Sequence, residues 1–160
     1  MAGKTDKSAP HSPRMVNRKA RHDYHILEVV ECGISLQGTE VKSLRAGSAV
    51  FADAYVRVQD GEALLVGLNI APYAHASPLM QHEPTRRRKL LLHKRQIAKM
   101  ASHARAKGHT LVPLTIYFKA GWAKCEVGLA VGKRQYDKRQ ALKDRQQKRD
   151  IAREMHRRKR

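Results

Sequence analysis

Cysteine is nearly absent from this chain: its 160 residues include only Cys32 and Cys125, far apart and without CxxC spacing. That excludes a disulfide framework and a cysteine-based zinc site, and Cys125 reads as a small core residue. No apolar run approaches the ~20 residues that cross a bilayer, and the opening MAGKTDKSAPHSPR lacks the apolar stretch of a secretory signal. A cytoplasmic location is expected. Acid is scarce too, with 14 Asp and Glu against 33 Lys and Arg and a formal charge of +19. Self-repulsion of that size destabilises a compact state unless a polyanion offsets it, so nucleic acid or an anionic membrane is the expected partner. Membrane binding needs a basic helix with a broad face of Leu, Phe or Trp. The basic C-terminal segment has no aromatic beyond Tyr136, so no membrane partner is expected.

Catalytic signatures are missing in the same way. No GxSxG, Walker or Rossmann fingerprint occurs, and the nine histidines form neither HExxH nor a Cys/His pattern. His22-Asp23 formally resembles the dipeptide of metal-dependent phosphohydrolases, but the further ligands of such a site are missing. The expectation is a protein with no catalytic residue, metal or cofactor; an RNA hydrolase using His22 and Asp23 ranks last among the readings. The aromatics, Tyr24, Phe51, Tyr55, Tyr73, Tyr117, Phe118, Trp122 and Tyr136, are few and fall mostly in predicted strands. There packing is the ordinary role and base stacking the rarer one.

What is present suffices for one modest core, with 41% hydrophobic residues. Residues 1 to about 16 combine Lys, Ser, Pro and His without periodicity, a composition expected to stay disordered. From Tyr24, Ile26, Glu28 and Val30 alternate with Leu27, Val29 and Glu31, and Ile34 to Leu36 follow a break at Gly33. This predicts a strand with a kink or bulge. GTEVKSLRAG, residues 38–47, predicts a short helix with Thr39 as N-cap, Glu40 at the positive end of the dipole and Gly47 as terminator. Ala54, Val56 and Val58 lead to Asp60-Gly61, a dipeptide that tight hairpins prefer, and Leu64, Val66, Leu68 and Ile70 return.

A proline-bearing loop over 72–84 and a basic run over 85–89 precede a second helix, with Ile97, Met100, Ala101 and Ala104 inward and Gly108 as its stop. Val112, Leu114, Ile116 and Phe118 share a face of a last hairpin, and Ala123, Cys125, Val127, Leu129 and Val131 repeat the pattern beyond Ala120-Gly121. The predicted class is mainly β: an OB-fold-like antiparallel barrel of about six strands with about three helices, since closure removes exposed sheet edges. The folded RNA-binding unit is expected over 17–132. Residues 133–160 hold 13 Lys and Arg against 4 Asp and Glu, a net of +9. Leu142 and Ile151 lie nine apart and so point to opposite sides of a helix. With no apolar stripe to dock it, this tail is expected to be disordered alone and helical once phosphates neutralise it.

Three basic clusters stand out: Arg18, Lys19 and Arg21; Arg86 to Lys89 with Lys94 and Arg95; and the tail. Two surface patches and a mobile arm suit a folded RNA read by shape and backbone. Glu31 ends an apolar run beside this charge, as either the partner of a cation or a hydrogen-bond acceptor for a base. Lys42 and Arg45 share a helix face, and Leu91 sits among basic residues. Spacing alone favours a solvated face and a core leucine for these.

The strings NRKARHDY (17–24), GTEVKSLRAG (38–47), RKLLLHK (88–94) and GKRQYDKR (132–139) resemble, in the same order, the bacterial SsrA-binding protein family, also called small protein B. The likeness runs from about Asn17 to the C-terminus. It implies an OB-fold barrel flanked by three helices, without catalytic residue or cofactor, that binds the tRNA-like domain of tmRNA and delivers it to stalled ribosomes for trans-translation. At matching positions Asn17, Tyr24, Glu31, Lys42, Arg45, Lys89 and Leu91 resemble the surface for that domain. With Arg18, Lys19, Arg21, His22 and Arg88 they form the expected RNA-binding set.

Gly132, Lys133, Arg134, Tyr136, Asp137, Lys138, Arg139, Lys143 and Arg145 are the tail residues expected at the ribosome. In the family, the tail lies in the empty mRNA channel and stands in for codon and anticodon at the decoding centre. Alanyl-tRNA synthetase and elongation factor Tu are implied as partners through the charged tmRNA. The chain departs from the family in reading Lys133-Arg134 where two lysines are common, Tyr136 where some relatives have His, and Gln147 where some have an aromatic. The alternative from another class is a basic ribosomal or assembly protein that binds ribosomal RNA stably.

Overall fold

The computed structural model describes residues 13–134, together with 146, 147, 149–151 and 155. In chain order the elements are β1 (Met15–Val16), α1 (Arg18–Asp23), β2 (Tyr24–Ile34), α2 (Gly38–Arg45), β3 (Ala49–Val50), β4 (Tyr55–Gln59), β5 (Glu62–Val66), β6 (Asn69–Ile70), β7 (Arg88–Leu91), α3 (Lys94–Arg105), β8 (His109–Lys119) and β9 (Trp122–Gly132), with a 3-10 turn at Pro78–Met80. Six strands of four or more residues and, within residues 13–134, three α-helices match the expected content.

Seven strands form one antiparallel sheet in the order β1-β8-β9-β2-β7-β5-β4, and β3 pairs with β6. The sheet curls until β4 lies close to β8, but those two strands share no ladder among the described residues. The fold is OB-like with an open seam, where sequence predicts a closed or nearly closed barrel. The main core fills the curl, with Leu44 from α2, Met100 from α3, and Leu65, Leu90, Leu111, Ile116, Cys125 and Val127 from the strands. A second cluster, Ala20, Val112, Leu114 and Ala130, lies where α1 covers the opposite side of β8 and β9.

The two hairpin turns place consecutive residues at positive φ, Asp60 (51°) with Gly61 (74°) and Ala120 (50°) with Gly121 (82°). This is the turn whose twist matches that of the flanking strands. Gly47, two residues past the end of α2, and Gly108, three past the end of α3, are both left-handed. At the start of α2, however, Gln37 rather than Thr39 occupies the N-cap, and its N–H donates to Glu40 Oε2 at 2.7 Å.

Several expectations about side-chain direction are overturned by irregularities that periodicity does not reveal. The irregularity in β2 falls between Ile26 and Glu28; Gly33 stays in register, opposite Lys124 on one side and Leu91 on the other. In the β5 region the inward residues are Ala63 and Leu65, then Leu68 and Ile70, while Leu64 and Val66 are half-buried. The phase slips at Gly67, at φ 75°, where an added Cβ would fall 2.9 Å from the Asp53 carbonyl oxygen. β8 slips between Pro113 and Thr115, so Val112 and Leu114 face α1 while Ile116 faces the main core.

Ala104 of α3 is exposed, and the inward stripe narrows to Met100 with Ile97 and Ala101 half-buried. The ordered chain also begins before Asn17: Met15 and Val16 pair with Ile116 and Thr115. Residues 1–12 lie outside the described residues.

Candidate nucleic-acid interface

Asn17 heads α1 and is consumed by the fold. Its Oδ1 accepts from Ala20 N–H at 3.1 Å, its Nδ2 donates to the Pro113 carbonyl at 2.9 Å, and its backbone N–H donates to Leu114 O at 2.8 Å. The side chain is buried, so its effect on a ligand runs through the placement of α1. That helix turns Arg18, Lys19 and Arg21 outward, and His22 meets Asp23 at 3.0 Å. Lys19 reaches to 3.8 Å from Asp53 across a cavity of about 300 Å³ with Tyr24 and Tyr55 on its wall. Among the described residues no group of three His, Cys, Asp or Glu side chains is placed to hold a metal, so the His22-Asp23 pair gains no further ligand.

The outer face of β2, β8 and β9 carries a second constellation. Glu31 and Glu126 are direct cross-strand partners, a like-charge pairing that costs stability unless each is compensated. Arg14 answers Glu126 with one nitrogen on both oxygens, at 3.0 and 3.2 Å, and its guanidinium lies 5.3 Å over the Tyr117 ring. Tyr117 in turn donates its hydroxyl to Glu31 Oε2 in a short hydrogen bond. Lys119 Nζ stands 3.8 Å from Oε2 and Lys124 Nζ 3.8 Å from Oε1. The Tyr117 hydroxyl first, then the two lysines, hold the Glu31 carboxyl below its ordinary range. The same bond pushes Tyr117 up to about 12. Glu31 is thus a carboxylate on a basic surface, and its structural partners are a tyrosine and two lysines.

Beside it, Leu91 lies over Gly33, with Leu91 Cβ 3.3 Å from where a glycine Cβ would be. Leu91 and Trp122 are 54% and 73% exposed and line a groove of about 510 Å³ together with Phe118 and Lys124. On α2, Lys42 stands 5.3 Å over the Tyr73 ring and Arg45 5.5 Å over Phe118, so both remain solvent-facing but are braced by aromatics. Lys89, exposed on β7, forms a short ion pair with Glu62. Sequence reasoning missed Arg14, Lys119 and Lys124 here, and placed Tyr117 and Trp122 with the packing aromatics. Counting outward from the Ala120-Gly121 turn puts Tyr117 opposite Lys124 and Lys119 opposite Trp122, a signal that the hairpin dipeptide contained.

Arg88 requires a correction. It is fully buried and belongs to no open surface: Nε donates to Glu40 Oε1 at 2.8 Å, one terminal nitrogen to Leu68 O at 2.6 Å and Arg86 O at 3.0 Å, and the other to Pro84 O at 2.8 Å. Arg86 completes the cluster with bonds of 2.9 and 2.5 Å to Glu40. Burial raises the Glu40 carboxyl, but Arg86, the Gln37 N–H and Arg88 together outweigh it and leave the group lowered. The basic run therefore alternates on β7, with Arg88 and Leu90 inside and Lys89 and Leu91 outside.

At the far end, Gly132 N–H donates to Gly108 O at 3.3 Å. Lys133 is pinned to α1, its N–H on Asp23 O at 2.9 Å and its Nζ on Arg21 O at 3.1 Å. Arg134 is exposed. Tyr136, Asp137, Lys138, Arg139, Lys143 and Arg145 lie outside the described residues; Gln146, Gln147, Arg149, Asp150, Ile151 and Met155 have helical backbone. Among the described residues no helix is long and apolar enough to cross a membrane.

Comparison with known proteins brings these features together. The family model described as SmpB protein matches residues 14–157. An SsrA-binding protein of Microcystis aeruginosa is 52% identical over 141 residues, covering 88% of this chain and 92% of its own. One from Staphylococcus saprophyticus is 53% identical over 139 residues, covering 87% and 90%. A chain of the solved structure "tmRNA-SmpB: a journey to the center of the bacterial ribosome" superimposes with a TM-score of 0.67 at 50% identity, over 81% of this chain and 94% of that one. With matching sequence over nearly its whole length and the same curled sheet beneath it, the chain belongs to the SmpB protein family.

Proposed function

We propose that this chain is the RNA-binding adaptor that takes the tRNA-like domain of tmRNA to stalled ribosomes for trans-translation. The observation that carries this reading is identity of 52–53% to SsrA-binding proteins over almost all of the chain. The surface chemistry supports it. A face that sets one open carboxylate and two exposed apolar side chains among Lys42, Arg45, Lys89, Lys119 and Lys124 is suited to phosphates plus unstacked bases.

The work divides between body and tail. The curled sheet holds the RNA, while residues 133–160, with their +9 charge, enter the vacant mRNA channel and reach the decoding centre, where phosphates offset that charge. Lys133, tied to α1 by two hydrogen bonds, fixes where the tail departs. Alanyl-tRNA synthetase and elongation factor Tu meet the adaptor through the charged tmRNA.

Sequencing the RNA that co-purifies from cells tests the first part: a short tRNA-like RNA supports the reading, and ribosomal RNA alone overturns it in favour of a ribosomal or assembly protein. Ending the chain after Arg134 tests the second. The truncated protein should fold and bind free tmRNA, yet fail to support tagging of nascent chains on ribosomes without mRNA beyond the stall. Normal tagging by that variant would sink the division of labour.

A further inference from the structure

The nine histidines are scattered along the chain, yet two of them converge. His103, in the last turn of α3, and His109, the first residue of β8, meet with their Nδ1 atoms 3.2 Å apart and their ring centroids 4.4 Å apart. Both are half-buried. Their spacing matches no ligand motif, because only the turn from α3 into β8 at Gly108 brings the rings together. His103 also points Nε2 at the Ala130 carbonyl oxygen, 3.3 Å away. A carbonyl only accepts, so that nitrogen carries the hydrogen and the neutral ring keeps a lone pair on Nδ1. The hydrogen between the two Nδ1 atoms then belongs to His109. An imidazole whose far N–H is anchored on a backbone carbonyl is the arrangement that orients a metal-ligating histidine.

The separation of the two nitrogens suits an ion in place of that hydrogen. Nitrogens bound to one tetrahedral zinc at about 2.0–2.1 Å lie about 3.3–3.4 Å from each other, so the rings need to part only slightly. His109 moves its hydrogen from Nδ1 to Nε2, a change of tautomer that releases no net proton and frees the second lone pair. Imidazole nitrogen favours zinc, copper or nickel over magnesium and calcium, which take oxygen ligands. As the rings stand, no third His, Cys, Asp or Glu among the described residues is already in place. His25 is within reach of the position. His25, Val131 and His109 are direct partners across β2, β9 and β8 and so share a face, with the His25 and His109 backbones two strand spacings, about 10 Å, apart. Lys99, one turn before His103, is held at 2.6 Å by Glu28 of β2, so α3 is tied to all three strands.

We propose that His103 and His109 are the fixed ligands of a binding site for a divalent transition ion, zinc by its geometry, with His25 turning in as a third ligand and water completing the shell. The ion joins the end of α3 to the start of β8 beside the root of the tail, since Gly132 N–H donates to the carbonyl of Gly108, next to His109. The test uses the full chain and zinc chloride. Calorimetric titration should show one saturable site for which excess magnesium does not compete. His103→Gln and His109→Gln, which keep a hydrogen-bonding side chain, should each lower zinc affinity about tenfold or more, a loss that even an outer-shell partner can cause. His25→Ala should lower it less. His75→Ala, which removes an exposed histidine far along the chain from the pair, should bind zinc as the parent chain does.

Nitrogen-15 spectra of the histidine rings supply a readout that needs no substitution and so decides even where a variant fails to fold. Zinc should move the Nδ1 signals of His103 and His109 and place the His109 hydrogen on Nε2. Unchanged zinc affinity in both glutamine variants overturns the site. So do zinc-induced shifts confined to other histidines, or binding weaker than about 1 mM, which is little more than 4 kcal/mol.

Discussion

Glu40 and Glu31 each sit among basic side chains, Glu40 enclosed where α2 meets β7 and Glu31 open on the outer face of β2. Around Glu40 two guanidiniums close at 2.5–2.9 Å, and three of the four remaining Arg88 N–H groups donate to backbone carbonyls. Around Glu31 the cations stand off at 3.8 Å and one phenol makes the contact. The first arrangement pairs a buried carboxylate directly with two guanidiniums; the second leaves the carboxylate open on a positive surface. Burial and completeness of pairing, more than the count of nearby charges, separate a structural ion cluster from a binding one.

Breaking the enclosed cluster should have the largest effect. Arg88→Ala strands Glu40 in the interior and should cost about 3–5 kcal/mol in chemical denaturation, as the loss of one partner of a buried pair does. Replacing both, Glu40→Leu with Arg88→Met, should recover part of that loss. The same cluster sets an acid limit. Because Glu40 titrates lower in the folded state than in the unfolded chain, its contribution is fully present above the unfolded value of about 4.3 and is lost as pH falls through the lower folded value. Stability measured against pH should drop in that window, and Glu40→Gln should flatten the drop from a lower starting level.

The open cluster should respond in binding and hardly at all in stability. Glu31→Ala should weaken binding to the tRNA-like RNA although the protein becomes more positive, whereas general electrostatics predicts tighter binding; titrations at fixed salt decide the sign. Lys89→Ala, which removes an exposed cation, should reduce the slope of log affinity against log salt by about one and leave the melting temperature in place. An unchanged slope would take Lys89 off the RNA path.

The smallest effect is a shift in pH. Tyr117 is the largest contributor to holding the Glu31 carboxyl below its ordinary range, with Lys119 and Lys124 assisting and Glu126 shielded by Arg14 across the strand pair. Tyr117→Phe should therefore move the acid-side loss of RNA affinity to higher pH without altering affinity near neutrality. An unmoved profile would remove Tyr117 from the site.

Much of this was legible from the chain itself. The Asp60-Gly61 and Ala120-Gly121 turns, the Gly47 and Gly108 stops and the long alternation of β9 rest on local chemistry, and each appears where that chemistry puts it. The misses share one cause. Slips at Gly67, at Ile26/Glu28 and at Pro113/Thr115 depend on distant backbone, so the face reached by Leu64, Val66 or Ile116 cannot be read from spacing. Spacing alone makes Arg88 a surface cation, because Glu40, which justifies its burial, lies 48 residues earlier. The fold-side role of Asn17 is equally hidden, because its amide bridges α1 and the distant Pro113 carbonyl. Trp122 went the other way, an aromatic expected to pack and left exposed at a hairpin tip.

The pairing of β2 with β9 governs how the molecule comes into being. Cys32 and Cys125, neighbours across that pairing, are 93 positions apart, and the strand on the other side of β2, β7, also follows much later in the chain. During synthesis β2 must wait with both edges unpaired until nearly the whole body has emerged, and loop-closure entropy is lost before these contacts can repay it. Folding should accordingly be late and cooperative, belonging to the slow class of β-rich domains. The exposed Leu27 and Val29 on that waiting strand are the residues at which premature self-association would begin.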